Sequence, residues 1–179
     1  MEEKFDVLNE LGEFTGEIAT RDECHKKGLW HRAVYAFIID DKGNILLQKR
    51  SKNKKLWPNM WDVTVGGHVD AGEFGRQALI REVKEETGLT IYDPLLCGME
   101  EYKADNNDER YLMLFYKTDK FEGELKSSKE GKVFWINKDD LLKYELSLDL
   151  DRIYKIMTDD TLSELIYEYK NGEYISYIK

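Results

Sequence analysis

Apolar and polar residues first alternate along this chain with a period of two. Residues 5–9 and 16–20 read as the arms of a short hairpin across Leu11-Gly-Glu-Phe-Thr-Gly16, whose glycines suit a turn, and residues 21–28 read as a helical turn. The stretch 31–40, rich in β-branched and aromatic residues, is separated by Asp41-Lys-Gly-Asn44 from the apolar run 45–47, which predicts a second hairpin. Residues 61–65 read as another strand. Over 74–87 the period changes to that of a helix, with Leu79, Ile80 and Val83 on one side and Gly88 as its stop. Strands are predicted at 91–101, 110–118 and 132–136, followed by helical segments at 139–143, 149–157 and 161–169. Strands around one helix, then terminal helices, give an α/β or α+β fold.

Length and composition narrow this to one domain. The 179 residues contain 41% hydrophobic and 35% charged positions with 13 Gly and only 2 Pro, the profile of a compact chain with no linker or low-complexity tract. The expected organisation is a single domain over 1–179, with an N-terminal hairpin and short helix (1–30), a core (31–140) and a C-terminal helical extension (141–179) packed on it. A net charge of -9 repels nucleic acid polymers and anionic membrane surfaces, so neither is an expected partner. The N-terminus has no apolar run of signal-peptide length and no segment approaches ~20 apolar residues, which predicts a cytoplasmic location. Cys24 and Cys97 form no CxxC pattern and read as ordinary buried thiols.

The chemistry concentrates in Gly67-His-Val-Asp-Ala-Gly-Glu73 and the segment after it, which carries Arg81-Glu-Val-Lys-Glu-Glu-Thr-Gly-Leu89. At ~100° per residue, Glu82, Glu85 and Glu86 share an arc of roughly 100°. Three like charges on one face repel unless a cation compensates them, and a hard divalent ion that also binds phosphate oxygens fits this face better than a closed structural site does. Gly66-Gly67 lets the backbone approach a metal or a phosphate.

These residues fill every fixed position of the pattern G-x5-E-x7-R-E-U-x-E-E-x-G-U, with U aliphatic, and the chain thereby resembles the Nudix hydrolases. The resemblance implies an α/β/α sandwich with a mixed sheet and Mg²⁺- or Mn²⁺-dependent cleavage of a small-molecule diphosphate. It implies metal ligation by Glu82, Glu85 and Glu86 with the Gly67 carbonyl, support from Glu73, and bracing by Arg81. For the general base it leaves Glu86 or Glu85 ahead of Glu100, Glu101, Asp108 and Glu109.

Outside this motif, over about residues 5–140, the chain is similar to the Nudix branch of type I isopentenyl-diphosphate isomerases. The similarity runs through Arg21-Asp-Glu-Cys-His25, Gly28-Leu-Trp-His31, Leu47-Gln-Lys-Arg50, Trp57-Pro58, Trp61 and Gly67-His68. It implies that His25, His31 and His68 are candidate ligands of a second divalent metal, although Asp108 and Arg110 stand where the isomerases supply two glutamates. Val65, in Thr64-Val65-Gly66, stands in the segment that carries their catalytic cysteine, so hydrolysis is the expected reaction. Isomerase-like chemistry and a catalytically idle nucleotide-binding domain are the alternatives. Arg21, Arg50 and Lys55 are candidate substrate contacts within a basic stretch that also holds Lys49, Lys52 and Lys54, beside Trp57 and Trp61. Trp30 and Trp135 read as core. A nucleoside diphosphate derivative is the expected substrate type. The aromatic tail of Tyr167, Tyr169, Tyr174 and Tyr177 suits either core packing or a homodimer contact.

Overall fold

A computed structural model describes residues 2–104 and 109–179, with backbone only at 104 and 174. The first hairpin pairs β1 (Lys4–Leu8) with β2 (Phe14–Thr20). Helix α1 (Arg21–Lys27) follows at once, started by a reciprocal cap in which Thr20 and Glu23 satisfy each other's backbone N–H groups. The core strands β3 (His31–Ile39) and β4 (Asn44–Arg50) lead into β5 (Trp61–Asp62) and β6 (Val65–His68), so the single strand expected at 61–65 is two short ones, pairing with β4 and β3 respectively. Helix α2 (Gly75–Thr87) ends on Gly88, whose left-handed φ of 76° closes the last turn onto the Lys84 carbonyl. After it come β7 (Thr90–Tyr92), β8 (Leu95–Ala104), β9 (Arg110–Thr118), β10 (Lys120–Glu122), β11 (Gly131–Asn137), a 3₁₀ turn at Lys138–Lys143, α3 (Leu150–Thr158), β12 (Glu164–Lys170) and β13 (Glu173–Ile178).

The main sheet runs β11-β4-β3-β9-β8-β12-β13, with β3–β9 and β8–β12 parallel and the remaining neighbours antiparallel. One face packs Val34, Ile38 and Leu46 against Ala78, Leu79 and Val83 of α2. The opposite face packs Phe37, Leu47, Phe115 and Leu165 against Leu150, Ile153 and Ile156 of α3. The mixed sheet between helices is the sandwich expected from the sequence.

The helix expected at 161–169 is instead β12, and the 141–179 extension is one helix plus a hairpin that widens the sheet. Along β12 burial alternates, with Leu165 and Tyr167 inward, and the following Asn171-Gly172 has φ of 55° and 87°, the geometry of a two-residue hairpin turn. Pairing β12 beside β8 supplies backbone partners that no isolated helix would need, so tertiary context overrides a weak helical signal. Tyr167 is buried, whereas Tyr177 is exposed. Trp135 packs against the α2-side core with Phe121, while Trp30 is only half-buried.

One position on β8 makes a measurable pH effect. Partly buried Glu100 sits opposite Met113 of β9 and Leu165 of β12, and loss of hydration, reinforced by Asp149 and Asp62, pushes its carboxyl up to about 8 from 4.5. Between those values the folded chain keeps a proton that the unfolded chain releases, so this group's contribution falls as pH rises through the window. Glu100→Gln is therefore expected to gain urea stability over wild type progressively from pH 4.5 to pH 8. A pH-independent difference between the two would rule out a raised Glu100.

Candidate active site

At the end of the sheet beside α2, Arg81 organises the carboxylates. Its guanidinium donates to Glu73 through Nε at 3.2 Å and Nη2 at 2.8 Å, to Glu82 Oε1 through Nη1 at 2.5 Å, and to the His68 carbonyl through Nη2 at 3.1 Å. This planar fork ties α2 to β6 and to the loop before the helix. Glu73 and Glu82 hold the Arg81 proton more firmly than usual, Glu73 contributing most. Asp70 adds an oxygen 3.6 Å from Nη2, a partner the sequence pattern did not single out.

Glu82 points across Gly67. A Cβ at residue 67 would lie 2.5 Å from Glu82 Cγ and 2.6 Å from its Oε1, so only glycine leaves space for the carboxylate against the β6 backbone. Burial raises the Glu82 carboxyl, opposed by Arg81. One turn on, Glu86 Oε2 accepts a 2.7 Å hydrogen bond from Gln48 Nε2, and burial raises its carboxyl to about 7, with Glu82 adding repulsion. Glu85 is largely exposed, 4.0 Å from Arg81 Nη1. The three glutamates line a cleft of about 420 Å³ whose other wall is Ser128, Lys129 and Glu130. Gln48 is the cleft residue that motif reading missed; it follows the apolar run of β4 directly and is buried with it, at 5% exposure.

The three histidines also converge. Their ring nitrogens lie within 4.8 Å of one another. His31 Nδ1 is 2.8 Å from the Leu29 carbonyl oxygen, to which it can only donate, and that tautomer leaves Nε2 with its lone pair. The Nε2 atoms of His25 and His31 are buried and make no hydrogen bond among the described residues. Burial lowers His31 to about 4 and His68 to about 3, and lowers His25 as well, so the rings are neutral near pH 7. Glu109 Oε1 stands 3.9 Å from His25 Nδ1. The Arg110 side chain buries its Nε without a hydrogen-bond partner among the described residues, and Asp108 lies outside them.

The substrate-contact candidates divide. Arg21 does not itself line the cleft but pairs at 3.5 Å with Glu3, which does. Arg50 lines the neighbouring basic groove and also shapes the 51–60 loop, with Nη1 on Asp62 Oδ2 at 2.6 Å and Nη2 on the Leu56 carbonyl at 3.1 Å. Lys55 is exposed and lines neither the glutamate cleft nor the neighbouring basic groove. Of the alternative bases, Glu101 is exposed, and Glu100 faces Asp149 and Asp62. Where an isomerase would need its thiol, Val65 is buried and Gly66 abuts the Tyr35 ring; Cys24 is fully buried and Cys97 donates to the Phe115 carbonyl.

Comparison with known proteins places this geometry. The NUDIX domain profile matches residues 29–156. A Nudix hydrolase of Listeria innocua is 46% identical over 89 residues, 50% of this chain and 53% of that one. The Nudix hydrolase YfcD of Escherichia coli K12 is 30% identical over 136 residues, 76% of this chain and 74% of its own. The chain spans about half the length of the first curated relatives it matches. Among solved structures, the MutT protein from Bacillus halodurans superposes with a TM-score of 0.68 at 25% identity, covering 83% of this chain and 97% of that one. The MutT Nudix hydrolase from Burkholderia pseudomallei gives 0.64 at 26% identity, with 72% and 98% covered. No helix among the described residues is long and apolar enough to cross a membrane. A helix that presents three glutamates braced by Arg81 over a glycine-floored cleft, in a domain matched across most of the chain, makes this protein a member of the Nudix hydrolase family.

Proposed function

We propose that this chain is a pyrophosphohydrolase that uses Mg²⁺ or Mn²⁺ to cleave the diphosphate linkage of a nucleoside diphosphate derivative. The observation that carries the reading is the cradle at Gly67, where Glu82 lies against bare backbone and Glu86 faces the same cleft. Glu82, Glu85, Glu86 and the Gly67 carbonyl are an all-oxygen donor set, which suits a hard cation of the Mg²⁺ or Mn²⁺ type. Bound there, such a cation supplies neutralisation of phosphate-oxygen charge and a lowered pKa for nearby water. Arg81 holds Glu73 and Glu82 in place, so that their repulsion is balanced before substrate arrives. Glu86, with Oε2 held by Gln48, keeps Oε1 for the cation or for the proton of the attacking water. Lys129 and Arg21 lie where they attract the anionic substrate into the cleft.

A second reading concerns the histidines, which we assign to a second divalent cation. It rests on two buried Nε2 atoms without hydrogen-bond partners among the described residues, in a cluster of neutral imidazoles.

One set of measurements tests both readings. The protein is stripped with chelator, titrated calorimetrically with Mn²⁺, and screened for phosphate release against nucleoside di- and triphosphates, nucleotide sugars, dinucleotides, coenzyme A and prenyl diphosphates. Hydrolysis of one class that stops with chelator is the expected result; silence across the screen at saturating metal would sink the hydrolase reading. A His68→Gln variant that binds as many Mn²⁺ ions as wild type would sink the second site.

A further inference from the structure

Beyond the shared wall of Ser128 and Lys129, the glutamate cleft continues into a groove of opposite sign, with a volume near 300 Å³. Lys49, Lys52, Lys129 and Lys132 line it, and no acidic side chain does. In a chain of net charge -9 such a concentration of cations is unusual. Of the acidic groups beside it, Asp62 is matched by Arg50 and Glu130 by Lys54. Among the described residues none of the four lysines has an ion-pair partner; Lys49 only stands over the Trp61 ring at 5.8 Å.

The strand register sharpens the point. Lys49 of β4 and Lys132 of β11 are direct cross-strand partners, so their side chains leave the sheet on the same face, and like charges in that position destabilise a sheet. Gly131 keeps β11 tight on β4, because a Cβ there would lie 2.8 Å from Gln48 Cγ, and this holds the 128–130 segment against the groove. The arrangement is unfavourable in the free protein and becomes favourable when an anion sits between the ammonium groups.

We propose that this groove binds a second phosphate of the substrate, remote from the scissile linkage, and that preferred substrates are diphosphates carrying such a phosphate. The substrate assignment rests on the hydrolase reading above, whereas anion binding by the groove does not.

Calorimetric titration of the whole protein with inorganic tripolyphosphate in chelator tests the groove alone. Wild type and Glu82→Gln/Glu86→Gln are expected to bind, and Lys49→Gln/Lys132→Gln to bind about tenfold more weakly or worse, the loss typical of charge-assisted contacts. A urea melt shows that the lysine variant folds, and it is expected to match or exceed wild type because a repulsive pair has gone. Equal tripolyphosphate affinity in wild type and lysine variant overturns the proposal, as does preference of the groove for poly-glutamate, which would make it a docking site for an acidic protein segment. The kinetic arm compares kcat/KM for coenzyme A against dephospho-coenzyme A, and for NADP⁺ against NAD⁺. The extra phosphate is expected to raise kcat/KM in wild type, with the ratio collapsing towards one in Lys49→Gln/Lys132→Gln. A ratio of one in wild type overturns the substrate assignment, as does failure to cleave any of the four while other diphosphates are hydrolysed; silence towards every diphosphate, with tripolyphosphate binding intact, sinks the hydrolase reading and leaves the anion site standing.

Discussion

Glu86→Gln is expected to lower turnover more than ~100-fold at saturating Mg²⁺ while leaving the fold intact. The substitution keeps shape and one carbonyl oxygen, so Gln48 Nε2 still has an oxygen to donate to, but it removes both the negative charge that faces the cleft and the second carboxylate oxygen. Stability is expected to move the other way. Burial raises the Glu86 carboxyl to about 7, so ionising it costs the folded state free energy as pH rises through that value, and a neutral glutamine is spared this. Steady-state kinetics at saturating Mg²⁺ and thermal melts in chelator, both at pH 8, give the two readouts. Wild-type turnover in the variant would remove Glu86 from the chemistry.

Arg81→Lys is expected to show the largest stability loss of any single substitution in the cleft, roughly 2–4 kcal/mol, somewhat below the loss for a wholly buried ion pair because Arg81 keeps 29% side-chain exposure. One guanidinium meets two oxygens of Glu73, one of Glu82 and the His68 carbonyl, and a lysine ammonium cannot span that fork. The glutamates would then repel across a partly dehydrated space, and activity would fall with stability. A urea midpoint unchanged from wild type would show that the loop before α2, rather than Arg81, holds the cleft in shape.

The sequence announced the helix face of the site because ligand spacing on a helix is local: Glu82, Glu85 and Glu86 follow from 3.6 residues per turn. Gln48 was hidden because its role depends on β4 passing beside α2, a contact 38 positions apart in the chain. Charge alone did not show that Arg50, which lines the basic groove, also pairs with Asp62, brought within 2.6 Å by the fold. The convergence of His25, His31 and His68 was legible only through family resemblance, since nothing local links α1, β3 and β6. In the C-terminal segment the Asn171-Gly172 turn was present in the sequence and outweighed by a helical period that β12 does not follow.

His68 belongs to two networks through different parts of itself. Its ring stacks with His31 at 5.4 Å between centroids, and its carbonyl accepts from Arg81. Mutagenesis reaches only the first. Any side chain at position 68 leaves the carbonyl in place, so the imidazole cluster can be dismantled while the glutamate clamp stays anchored, but the clamp's anchor cannot be removed by changing the residue that bears it. At position 68, dissection of the two centres is therefore possible from one side only.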